Sequence, residues 1–154
     1  MLKDVNRSAL PFVVLGSFSI IAGGVISAAS AGGPNYFSAW TVAYLVLVAG
    51  FAQLVLGIGQ ANLASRIPST LVIAWQIITF NASSAAVLLG TLLAAPFLTY
   101  VGAALLVVAL ALFVWGVRGH TRHSVVLLWA FRTMVVILLV SAPIGLIISH
   151  SRMG

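Results

Sequence analysis

Five apolar runs, each about as long as a bilayer is thick, take up nearly all of this 154-residue chain. An α-helix rises ~1.5 Å per residue, so ~20 apolar residues cross a ~30 Å hydrocarbon core. The runs span roughly 11–30, 37–59, 69–94, 97–117 and 124–148. In lipid a backbone must satisfy its own N–H and C=O groups, which leaves helices or closed barrels. The runs do not alternate polar and apolar residues as barrel strands do. The expected fold is therefore an all-α, polytopic transmembrane bundle of about five spans. It forms a single integral-membrane domain over 1–154, with no room for a soluble one.

Charge is scarce and one-sided. The chain holds 7 Lys and Arg against 1 acidic residue, and charged residues make up 5% of it, where a soluble domain carries about a quarter. The basic residues lie at the ends of the apolar runs. That is a topology pattern and not a nucleic-acid footprint, because no aromatic residues interleave with them. With the N-terminus cytoplasmic, Lys3, Arg7, Arg66, Arg118 and Arg122 fall inside and only Arg152 outside. An odd number of spans then puts the C-terminus outside, and the expected location is a plasma membrane. Tyr36, Trp40 and Tyr100 fall near the outer interface, Trp115 and Trp129 near the inner one, as interfacial anchors do. Lys3 and Arg7 before an apolar run that closes near Ala29-Ser30-Ala31 outline a signal peptide, but the run from Pro11 to Ser30 is long for a signal core. It reads as a retained first helix.

Proline marks the boundaries. Pro11 is expected at the start of the first span, Pro34 in the first loop, Pro68 before the third span and Pro96 in a tight turn between the third and fourth. Pro143 falls inside the last span and is expected to bend it. Small residues at four-residue spacing let helices approach closely in lipid. Ser19, Gly23 and Ser27 in the first span, and Ala86, Gly90 and Ala94 in the third, are the expected packing stripes.

Few residues remain to carry chemistry. Arg132 lies about eight residues into the fifth span, where a charge is costly unless solvated or paired. The one carboxylate is Asp4, in the N-terminal tail. Arg132 must otherwise meet a lipid phosphate, an anionic ligand, backbone carbonyls or a carboxylate on another subunit, or snorkel to the headgroups. Gln53 and Gln76 lie at a comparable depth, and with Arg132 they are expected to form one polar layer. Such a layer suits a headgroup, a quinone carbonyl or a carboxylate; the amides alone suit interhelical hydrogen bonding. Asn81, followed by Ser83 and Ser84, lies near the bilayer centre, either lining a narrow path or buried in the bundle. Gln60 and Asn62 are placed at the inner interface. His120 and His123 crowd with Arg118 and Arg122, a poor metal site, and His150 is interfacial. With no cysteine there is no thiolate ligand. With one acid there is no carboxylate pair, triad or coupling carboxylate. No cofactor is expected, and no enzymatic activity from this chain alone.

The reading these residues favour is a small non-catalytic subunit of a larger membrane complex, of respiratory or transport type. Its partners would be membrane lipids and other integral-membrane subunits, not nucleic acid. The alternatives are a small oligomeric channel or transporter lined by Gln53, Gln76 and Asn81, and a lipid- or quinone-binding protein using Arg132.

Overall fold

The computed structural model describes residues 2–33, 35–64, 66–117 and 125–151, and the side chains of 7–33, 35–64, 66–117 and 125–141. All regular structure among them is helical. Five helices follow one another: α1 (Leu2–Ala29), α2 (Tyr36–Leu63), α3 (Thr70–Leu92), α4 (Pro96–Gly116) and α5 (Val125–Ser151). The first four are long and apolar enough to cross a membrane, and α5 contributes a shorter apolar stretch, Val125–Ser141. Phe18, Ile21, Leu71, Trp75, Ile78, Phe97, Val126 and Trp129 are all more than half exposed. A water-soluble protein does not carry so much apolar surface on every side. The fold thus defines a multi-pass helical membrane protein.

Local chemistry sets the helix ends. At α2, the Ser38 N–H donates to Asn35 Oδ1 (2.9 Å) and the Asn35 N–H donates to Ser38 Oγ (3.1 Å). This reciprocal cap satisfies two orphan donors. Ser69 caps α3 by accepting from Val72 N–H. Pro96 opens α4, where its missing N–H is harmless. The turn before it is very tight: Ala95 N–H returns to the Gly90 carbonyl at 2.8 Å, and Ala94 is held at φ 51°. Two boundaries differ from expectation. α1 begins at Leu2 with Pro11 inside it, so that proline forfeits a helical hydrogen bond instead of opening the span. α3 stops at Leu92, which puts Ala94 in the turn and not on a packing stripe. Pro143 lies within the α5 range, beyond the described side chains.

α2 is not uniform. Tyr36–Ala43 and Gln53–Leu63 are α-helical, and Tyr44–Ala52 between them is π-helical. The wider π turn carries Gly50, and a Cβ there would lie 2.5 Å from Ile20 and 3.0 Å from the Gly16 carbonyl. Backbone meets backbone at this point, so α1 and α2 pack as closely as lipid-immersed helices can. The same seam continues at Gly57, where any side chain would overlap Phe12, and at Gly23, which faces Val46. The pairs run antiparallel.

The core gathers among all five helices, with α5 packed on α2 and α4. Phe113 meets Phe12 with the rings tilted by 55° (centroids 5.3 Å apart) and meets Phe80 edge-on (6.3 Å). Leu56, Leu106, Leu110, Phe131, Val135 and Leu138 complete it. Phe131 brings α5 against Gly59 of α2. Arg7 and Arg66 lie at the end where α1 starts and α2 turns into α3. We call this the basic end.

Candidate functional site

Interior polar groups cluster one turn below the phenylalanines, toward the basic end. Gln60 and Gln76 are 2% and 0% exposed. Gln60 Nε2 donates to Gln76 Oε1 at 3.0 Å, and Gln76 Nε2 donates to Gln60 Oε1 at 2.7 Å and to the Leu112 carbonyl at 3.0 Å. Three helices are joined by one amide pair. Gly116 makes room for it: a Cβ there would stand 2.8 Å from Gln60 Oε1 and 3.3 Å from Gln76 Nε2. Head-to-head amides satisfy both strong donors and both acceptors, which is the least costly way to keep them in an apolar interior.

The expected layer of Gln53, Gln76 and Arg132 does not form. Gln76 meets Gln60 instead. Gln53 is fully buried two turns farther from the basic end on the Gln60 face of α2, and neither end of its amide has a hydrogen bond among the described residues. Arg132 is exposed. It belongs to an outward stripe of α5, with Val125, Trp129, Val136 and Val140, while Phe131, Val135 and Leu138 of the same helix turn inward. Helical periodicity separates the two faces. Arg132 Cζ lies 5.9 Å from the centroid of the Trp129 ring, at the outer limit of a cation–π contact. A seven-residue offset from Val125 puts the Arg132 backbone about 10 Å along the helix.

Most of the remaining polar residues bond within the bundle, whereas Ser84 Oγ and Thr99 Oγ1 are buried without a hydrogen bond among the described residues. Asn81 is half-buried, and its Nδ2 donates to the Ile77 carbonyl at 2.9 Å. Ser83 Oγ, deep in the α3–α4 seam, donates to the Gly102 carbonyl at 2.7 Å. Asn62 is exposed and bonds the Ile58 carbonyl. Ser84 is buried with the Tyr44 phenol turned toward it. Of the predicted packing residues, Gly23 and Gly90 lie in tight contacts, Gly90 against Thr99. Ser19 is half-buried and bonds its own helix, Ala86 is half-buried, and Ser27 and Ala94 are exposed. Ser27 lines a cleft of about 370 Å³ with Ser30, Ala31, Ser38, Ala39 and Val42, at the end away from the basic one. Ser30 and Ser38 are occupied by hydrogen bonds to their own segments. The side chains of Lys3, Asp4 and His150, and residues Arg118, His120, Arg122, His123 and Arg152, lie outside the described set.

Sequence reasoning found Gly23 of the α1–α2 seam but missed Gly16, Gly50 and Gly57, and it missed the partner of Gln76. Gly16 and Gly23 are seven apart, and so are Gly50 and Gly57. That heptad spacing marks one helix face and was available as a signal. Taken together, the fold and its polar groups define a polytopic α-helical membrane protein with an interior amide pair and with Arg132 turned outward from its last helix. No family model, curated protein or solved structure matches the chain.

Proposed function

We propose that this protein is a small non-catalytic integral-membrane subunit of a larger complex, of respiratory or transport type, in a plasma membrane with its N-terminus cytoplasmic. The observation that carries the reading is the position of Arg132. A lone guanidinium on an apolar, outward-facing stripe is costly in lipid and calls for an anionic partner. The chain has 1 acidic residue against 7 basic ones, so a second copy offers little complementary charge. A carboxylate within the membrane part of a different polypeptide meets the need. Val136 and Val140 on the same stripe supply the apolar contact around it.

A conduit through this chain is the weaker reading. Gln76 spends its amide on Gln60 and Leu112, and Asn81 bonds its own helix, so these groups do not form a continuous polar wall. Gentle extraction followed by native mass measurement tests the proposal. The expected result is a particle heavier than the 16.0 kDa chain that contains another membrane polypeptide and dissociates in Arg132→Leu. A stable lone monomer, or lipid as the sole companion, would overturn it.

A further inference from the structure

Every interior glutamine but one is paired. The chain has three, Gln53, Gln60 and Gln76; the last two bind each other, and the amide of Gln53 meets no protein donor or acceptor although it is 0% exposed. This is a disfavoured arrangement. A dry, unpaired amide forfeits the hydrogen bonds it made in water at both ends. The position is also structurally singular. Gln53 is the first residue after the π-helical segment of α2, and its own backbone N–H bonds back to Gly50. Junctions between π and α turns disturb the regular carbonyl ladder, and in membrane helices ordered water commonly satisfies groups at such joints.

We infer that Gln53 is a buried hydration site, where its amide and the π-to-α joint of α2 hold water in the interior of the bundle. The ligand must donate to Oε1 and accept from Nε2, and it must be small. The neighbouring seam is closed to larger groups: Gly16 and Gly50 touch backbone to backbone, and Gly57 lies against Phe12. Water meets both demands. The phenylalanine cluster of Phe12, Phe80 and Phe113 sits between this site and the Gln60–Gln76 pair. The two polar levels are therefore separate, one satisfied by protein and one by solvent. The inference does not depend on what Arg132 binds.

The three glutamines make the test self-controlled. The full chain is labelled with ¹⁵N-glutamine and ¹³C-carbonyl alanine in lipid bilayers. Only Gln53 follows an alanine, Ala52, which assigns its backbone amide; Gln53→Leu assigns the side-chain amide by removing its signal. Water-edited solid-state spectra and exchange into deuterated water are then recorded. The Gln53 side-chain amide is expected to show a water cross-peak and to exchange roughly tenfold faster than the amides of Gln60 and Gln76. No water contact at Gln53, or equal exchange at all three, would overturn the inference.

Discussion

Gln76 and Arg132 sit at similar distances along their helices, six residues after Thr70 and seven after Val125. Their surroundings are opposite. Gln76 turns into the bundle, where Gln60, the Leu112 carbonyl and the gap left by Gly116 receive its amide. Arg132 turns out from it, beside the Trp129 ring. Both are polar groups in a medium that does not solvate them. The inward group finds its partner within the chain and contributes to the fold. The outward one has no hydrogen bond or ion pair among the described residues.

That contrast can be broken or sharpened by substitution. The largest effect is expected at the seam on which the interior depends. Gly57→Val forces a branched side chain into the fully buried Phe12 ring, and overpacking of this kind costs about 3 kcal/mol, the upper end of the usual range. Thermal unfolding in mild detergent measures it; an unchanged midpoint would mean that α1 and α2 are farther apart than described.

Next comes the amide pair. Gln76→Leu strands the Gln60 amide and the Leu112 carbonyl, a loss of about 1–3 kcal/mol. The double variant Gln60→Leu/Gln76→Leu removes both partners and is expected to recover much of that loss. Strictly additive losses in the same melts would show that the two amides are not coupled.

A smaller gain is expected at the α3–α4 turn. Ala94 holds φ 51°, a conformation that glycine adopts without a Cβ penalty, so Ala94→Gly should stabilise by about 0.5–1 kcal/mol. A lower melting midpoint would refute the left-handed turn.

The smallest effect on the fold is expected outside. Arg132→Leu should lower the stability of the isolated chain by less than about 0.5 kcal/mol, because nothing in the interior rests on the guanidinium. A loss as large as that of Gln76→Leu would place Arg132 among the residues that hold the bundle together.

The spans were legible in the sequence because length and hydropathy alone dictate them. The tight turn at Pro96 was legible for the same local reasons. The π segment was not, since Tyr44–Ala52 contains no proline to announce it. Nor was the Gln60–Gln76 pair: depth along a helix is readable from sequence, but the rotation that decides which residues face each other is not. Arg132 shows the same difficulty from the other side. Its outward stripe of Val125, Trp129, Val136 and Val140 is as apolar as the inward Phe131, Val135 and Leu138. In lipid, hydrophobicity does not tell a helix-facing side from a lipid-facing one. Aligning Arg132 with Gln53 and Gln76 by depth therefore joined residues that the bundle keeps apart.

The claim that matters most is the chemistry outside Arg132. Membranes containing the assembly, with arginine labelled in the guanidinium and Arg132→Lys used to assign its signal, allow ¹³C–³¹P and ¹⁵N–¹³C-carboxylate recoupling at that one side chain. The expected result is a direct contact to a carboxylate of another polypeptide and none to phosphorus. A phosphorus contact alone would make Arg132 a headgroup anchor and contradict the account.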